Sequence, residues 1–321
     1  MNIYTMGIDV GGTKIAYGLF DSDKNLIKKL KTPSDKTKNS EAFFDGICET
    51  IHNMLETEGI KKSQLQGIGI GVPSYVLFDE GKIIKTANLT NIRDFPARSY
   101  LMNKMGNVPI IIDNDANTGA LAEFHHGAGR GCKHMLYCPV STGISTGIII
   151  NEQLFRGSYG WAGESGHMIV TPGFGIEACG CGSKGCLMSY CSGSMIVKHV
   201  QKKIAEGSPT VMIELAGGSD QITTAHILNA YDQGDAMALW AVEQMALYLG
   251  VWIYNQYALL NINCFVFGGG LLHFGDRLFK RVRRVFDAYN QNDLPVYFKT
   301  AELGEDFGII GANELLSERA C

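Results

Sequence analysis

Apolar and polar positions change their spacing several times along the chain, and each change marks an element. Residues 3–10 (IYTMGIDV) and 15–21 (IAYGLFD) are apolar stretches on either side of Gly11-Gly12-Thr13-Lys14, and NLIKKLKT follows at 25–32, which predicts a β-meander. The period then lengthens. Phe43, Phe44, Ile47, Ile51 and Leu55 fall on one face of a helix predicted over 40–58, with Ser40 placed to cap its first turn. QGIGIGVP (66–73) and PIIIDND (109–115) read as buried strands, and 118–129 has helical composition running into glycines. Two strands around a Gly/Thr turn at 134–155 repeat the pattern of the amino terminus, the sign of a duplicated architecture.

Beyond that repeat, residues 171–186 are rich in Gly and Cys and are expected to be irregular. A long helix is predicted over 234–258, with Met237, Trp240, Ala241, Met245, Tyr248, Leu249 and Trp252 on a core-facing stripe. INCFVFGGGLL (262–272) is a strand entering a glycine turn, HFGDRLFKRVRRVF after it is helical, and 308–320 forms a last helix. Strands and helices mixed in this order define an α/β protein.

Length adds a division. At 321 residues and 35.0 kDa the chain passes the ~250–300 residues at which a single core stops growing, so two lobes with a cleft between them are expected. A formal net charge of −4 without a basic stripe argues against a nucleic-acid partner. No uninterrupted apolar run approaches the ~18–20 residues of a membrane span, and MNIYTMGIDVGGTK has no leader pattern, so a cytoplasmic protein is expected.

Chemistry enters at the glycines. Phosphates held by backbone need N–H groups pointing inward with no Cβ in the way, so glycines gather where the chain approaches a nucleotide. Three glycine turns each follow an apolar strand: Asp9-Val10-Gly11-Gly12-Thr13-Lys14, Ser141-Thr142-Gly143 through Gly147, and Phe267-Gly268-Gly269-Gly270. Asp9 ends its strand where it can hold Mg²⁺ directly or through water, Thr13 offers a hydroxyl and Lys14 a point charge. The pattern is neither a Walker A loop nor the dinucleotide fingerprint. It resembles the two phosphate turns and the adenosine turn of the actin, hexokinase and heat-shock ATPase superfamily.

Nine cysteines is an odd number, and three of them lie within eight residues, which favours a metal site over a disulfide framework. His167, Cys179, Cys181 and Cys186 supply one imidazole and three thiolates, a closed tetrahedral set suited to structural Zn²⁺, with Gly180, Gly182 and Gly185 allowing the loop to turn tightly. Asp115 stands where a buried strand ends and a helix begins, a usual place for binding groups in α/β folds. An alcohol hydroxyl is a poor nucleophile, and a carboxylate there could accept its proton as a bond to phosphorus forms. An isolated Asp at such a junction would also serve as a helix cap.

DVGGTK, DNDAN, AGESGH with CGCGSKGC, and FGGG occur in that order over essentially the whole chain, which resembles the ROK family of sugar kinases and repressors. The resemblance implies a two-lobed actin-like ATPase fold of the ribonuclease H-like type. Its amino-terminal lobe would span 1–115, with a helix at about 303–321 packing back on it, and its carboxy-terminal lobe 116–302, with the zinc loop. It implies ATP with Mg²⁺ on Asp9, Gly11, Gly12, Thr13, Lys14, Thr142, Gly143, Gly268, Gly269 and Gly270, and Asp115 as catalytic base. The sugar would lie among Asn88, Asn114, Asp115, Glu164 and His167, the last of these shared with zinc. It further implies a homodimer, acting on a hexose or N-acetylhexosamine in the manner of a glucokinase. Repressors of the family carry a DNA-binding domain before DVGGTK, whereas eight residues precede Asp9 here.

Three positions depart from the family pattern. Met188 stands where the kinases usually have a sugar-binding Glu, Ser145-Thr146 replaces two glycines of the second turn, and Ser74 follows Pro73 where Gly is common. A thioether cannot replace a carboxylate's acceptors, so Met188 points away from ordinary glucose specificity, while the two added Cβ atoms of Ser145-Thr146 would either weaken ATP or add hydroxyl donors near the γ-phosphate. Kinases for N-acetylmannosamine, N-acetylglucosamine, fructose or allose, or a catalytically weak sugar sensor, are the alternatives.

Overall fold

The meander forms as its apolar stretches and glycine turn predict. In a computed structural model of the chain, which describes residues 2–86, 89–172 and 177–318, strands β1 (Tyr4–Val10), β2 (Lys14–Phe20) and β3 (Leu26–Pro33) pair antiparallel. Helix α1 (Ser40–Thr57) then crosses to β4 (Leu65–Val72), which runs parallel to β1. Its cap is Asn39 and not Ser40, since the Asn39 side chain accepts the Ala42 N–H at 2.9 Å while Ser40 is already the first helical residue. A small antiparallel sheet follows, made of β5 (Ser74–Leu77), β6 (Lys82–Thr86) and β7 (Arg93–Phe95). After α2 (Ala97–Lys104), β8 (Ile110–Asn114) joins the first sheet parallel to β4, giving the order β3-β2-β1-β4-β8. Helix α3 (Asp115–His126) begins at the next residue.

The rest of the chain supplies β9 (Met135–Pro139), β10 (Gly147–Ile150) and β11 (Gln153–Leu154), then the helices α4 (Met188–Cys191), α5 (Gly193–Ala205), α6 (Met212–Ala216), α7 (Thr224–Asp232) and α8 (Ala236–Leu260). Strand β12 (Cys264–Gly268), α9 (Asp276–Tyr289), β13 (Tyr297–Thr300) and α10 (Phe307–Glu314) complete it. Strand β12 pairs parallel with both β9 and β13. The chain divides into two compact units, one of 1–133, 147–163 and 301–321, the other of 134–146 and 164–300.

In the first unit, Met6, Ile8, Phe44, Ile47, Ile68, Ile70 and Leu101 build the core between sheet and helices. Helix α10 packs so closely on β1, β4 and α3 that backbones touch. A Cβ at Gly69 would overlap the Ala312 carbonyl oxygen, and one at Gly311 would overlap that of Thr118. The far end of α3 is tied down as well. The fully buried Glu123 carboxylate accepts the N–H groups of Ala128 at 2.9 Å and of Glu302 and Leu303 at 3.1 Å, in the segment leading to α10.

The second unit centres on α8, whose Met237, Ala241, Met245, Leu249 and Trp252 are buried as the stripe predicts, while Trp240 and Tyr248 are half-buried at its edge. At 25 residues α8 is long and apolar enough to cross a membrane by length and composition, and 56% of its most apolar stretch is buried inside the protein. Glu243, Gln244, Asn255 and Gln256 interrupt its apolar run.

Candidate active site and metal centre

The first glycine turn joins β1 to β2. Gly11 N–H donates to the Lys14 carbonyl at 2.9 Å, and Ser34, just past β3, clips the turn by donating its N–H to Thr13 O at 3.0 Å and its hydroxyl to Gly11 O at 2.6 Å. Thr13 and Lys14 are exposed on the turn. Asp9 lies deeper, against Gly308 of α10, where any side chain would overlap its carboxyl group. Burial pushes the Asp9 carboxyl up to about 6, with Lys14 pulling in the opposite direction.

At the β8–α3 junction, three polar residues of one motif do three different things. Asn114 caps α3: its side-chain oxygen accepts the Ala116 N–H at 2.8 Å, and its amide nitrogen donates to Ser74 O at 3.1 Å. Asp115 is therefore not the cap but the first helical residue, and it is partly exposed. Asp113 is fully buried and accepts from Asn114 N–H at 2.7 Å, Asn117 Nδ2 at 2.8 Å and Arg156 Nε at 2.7 Å. Burial raises its proton affinity against the pull of Arg156. Sequence reading missed Asp113 and Arg156. A charge directly after the run Ile110-Ile111-Ile112, on the same strand, signals a buried partner, but nothing in the sequence says which cation supplies it.

The other two turns belong to the second unit and are stitched to each other. Val140 N–H donates to Gly268 O at 2.9 Å, and Leu271 N–H returns to Val140 O at 3.0 Å. Gly269 adopts φ of 86° with its α-carbon against the Val140 backbone, a placement only glycine accepts. Helix α5 starts beside them, with Gly193 N–H on Ser141 O at 2.7 Å and Ser194 Oγ on Thr142 O at 2.7 Å. Thr142, Gly269 and Gly270 face outward. Thr146 does not. Its hydroxyl is buried, 2.6 Å from Ser165 Oγ and 3.1 Å from Gln256 Nε2, so it serves the core of this unit and not a bound phosphate. Ser74 likewise turns its hydroxyl to the Lys85 carbonyl at 2.7 Å.

His167, Cys179, Cys181 and Cys186 come together, with one ligand atom from each lying within 4.8 Å of the others. Cys179 Sγ is 3.5 Å from His167 Nδ1, and Cys181 Sγ is 3.8 Å from Cys186 Sγ. Tetrahedral bonds to Zn²⁺ would set S···N and S···S edges at ~3.6 and ~3.8 Å. The loop is shaped by Cys179 N–H on Ser183 O at 2.8 Å and Gly182 N–H on Cys179 O at 3.0 Å, with Gly182 and Gly185 at φ of 95° and 79°. Glu164 precedes the short turn Ser165–His167 and is partly buried. Met188, the first residue of α4, brings its methyl group to 3.8 Å from where a Cβ on Gly143 would stand. Asn88 and residues 173–176 lie outside the described residues.

Glycine turns at strand ends, on two α/β units, define an actin-like ATPase fold. The sequence matches the ROK family over residues 5–319, and the chain belongs to that family. It is 34% identical over 316 residues to a glucokinase of Halalkalibacterium halodurans, covering 98% of this chain and 95% of that one. It is similar to the crystal structure of a ROK family glucokinase from Streptomyces griseus in complex with glucose and AMPPNP, with TM-score 0.80, 30% identity and 97% and 98% of the two chains covered. A ROK hexokinase from Thermus thermophilus is similar at TM-score 0.80 and 30% identity over 100% of both chains. Within the family the chain stands with the sugar kinases.

Proposed function

We propose that this ROK protein is an ATP-dependent sugar kinase that phosphorylates a hydroxyl of a hexose or N-acetylhexosamine, with Asp115 as general base. The observation that carries the reading is the division of labour at the β8–α3 junction, where Asn114 caps the helix, Asp113 pairs with Arg156, and Asp115 takes the partly exposed first helical position. Asp115 accepts the hydroxyl proton while the sugar oxygen bonds to the γ-phosphorus, the bond to the bridging oxygen breaks and ADP leaves. Asp9 holds Mg²⁺, Gly11 to Lys14 and Thr142-Gly143 receive the phosphates, and Gly268 to Gly270 receive the nucleoside. ATP supplies the transferred group. Asn88, Asn114, Glu164 and His167 bind sugar hydroxyls, with Asn114 doing so from a side chain already oriented by Ala116 and Ser74.

His167, Cys179, Cys181 and Cys186 hold a structural Zn²⁺. Three thiols and an imidazole within 4.8 Å of one another, two of their separations matching tetrahedral edges, fit that ion, and four protein ligands leave no position for a reacting water. His167 Nδ1 is turned to Cys179, and the reading gives the other ring nitrogen to the sugar or a carboxylate. The reading places the enzyme in the cytoplasm as a homodimer. A panel of hexoses and N-acetylhexosamines assayed for ATP-dependent phosphorylation tests it. Binding of a sugar without turnover of any would replace the kinase by a sensor.

A further inference from the structure

Arg156, on the segment after β11, meets three parts of the first unit at once. Its Nε lies 2.7 Å from Asp113 Oδ2, its guanidinium carbon is 3.9 Å from the centre of the Phe78 ring at the end of β5, and its Nη1 is 3.5 Å from Glu318 beyond α10. The Asp113 carboxylate passes this anchorage on. Its other oxygen takes the Asn114 N–H at 2.7 Å and the Asn117 amide at 2.8 Å, residues that stand before and after Asp115 in the first turn of α3.

A buried ion pair is weak evidence for stability, because desolvating both charges offsets most of their attraction, whereas it fixes geometry strictly. Geometry matters here, since a 1 Å displacement of a reacting group can cost on the order of 10²-fold in rate. We propose that Arg156 is a positioning residue for phosphoryl transfer: acting through Asp113, it fixes the first turn of α3 and so aims the Asp115 carboxylate. The inference rests on Asp115 being the base, with Arg156 acting on it only through Asp113.

The test compares Arg156→Met with two charge-neutral double variants, Arg156→Met/Asp113→Asn and Arg156→Met/Asp113→Leu. Arg156→Met strands the buried carboxylate, and kcat for the best acceptor of the sugar panel should fall by about tenfold to a hundredfold with KM for ATP unchanged. The Asn of the first double variant still accepts the Asn114 N–H and should restore kcat to within about threefold of wild type, whereas Leu cannot and should not. A merely structural role predicts equal behaviour of the two double variants at matched melting temperature, and that result would overturn the proposal.

Hydrogen exchange on the full chain is the arm that needs no turnover. Amides of 114–118 should exchange about tenfold faster in Arg156→Met and recover only in the Asn double variant, while those of β1 stay unchanged. Unchanged exchange at 114–118 would equally overturn the proposal. A wild type that turns over no sugar defeats the kinase reading instead, and the exchange result then decides alone whether Arg156 holds the turn.

Discussion

Asn114 caps the helix that Asp115 begins: its side-chain oxygen lies 2.8 Å from the Ala116 N–H. That relationship separates two roles an acidic residue at a strand–helix junction could have combined. Asp115→Asn should therefore be nearly silent in stability, while kcat falls by about 10²–10⁴-fold and sugar binding changes little. Asn114→Ala should instead lower stability by about 0.5–2 kcal/mol through loss of the cap. Calorimetric sugar binding, turnover and thermal melting on both variants check the pair. Equal turnover in wild type and Asp115→Asn would sink the catalytic assignment.

The cysteine cluster predicts about one zinc per chain in protein prepared without chelator. Stripping it should lower the melting temperature and weaken sugar binding, because His167 is shared between the metal site and the proposed sugar site. Elemental analysis and melting curves before and after chelation measure both effects. Protein that folds and binds sugar equally well without zinc would contradict this.

Met188 is expected to steer the choice of acceptor. Met188→Glu restores a carboxylate beside the second turn, and a regained hydrogen bond of about 1–3 kcal/mol corresponds to roughly fivefold to 150-fold in glucose kcat/KM. A wild type already fastest with glucose would show that the thioether does not govern the choice.

For Asp9 the sign of the pH effect follows from its raised proton affinity, about 6 in the folded chain against an ordinary 3.8. The folded state holds the proton more tightly than the unfolded one, so this group's contribution favours folding at low pH and is lost as pH rises through about 6. Asp9→Asn removes the buried charge and should melt higher than wild type at pH 7.5, by on the order of 1–3 kcal/mol, with the advantage shrinking towards pH 4.5. Turnover should drop in the same variant, since the neutral amide is a poor Mg²⁺ ligand. Melting without nucleotide at both pH values provides the check.

Much of this was legible because local spacing carries it. The apolar stretches around Gly11-Gly12 became β1 and β2, the 3.6-residue stripe of α8 became the centre of the second unit, and C-x-C-x₄-C with His167 brought its four ligand atoms together. What spacing does not encode is which distant group answers a buried one. Ser40 and Asn39 are both good caps, and only backbone geometry chose Asn39. Thr146 read as a residue of the phosphate turn until Ser165 and Gln256, from elsewhere in the second unit, claimed its hydroxyl. Arg156 carries no local signature, because its partner Asp113 is 43 residues away.

The backbone contact between α10 and the glycines of β1 and β4 also bears on how the chain is made. The first unit's central sheet is complete by residue 114, yet the helix that seats on it is not synthesised until residues 307–314. A nascent chain on the ribosome must therefore hold that glycine face uncovered while nearly two hundred further residues emerge. Contacts of such sequence separation make slow folding steps and leave the intermediate open to aggregation. Substitutions at Gly69 or Gly311, which would push the α10 backbone away from its seat, should then raise chaperone demand during translation as well as destabilise the finished molecule.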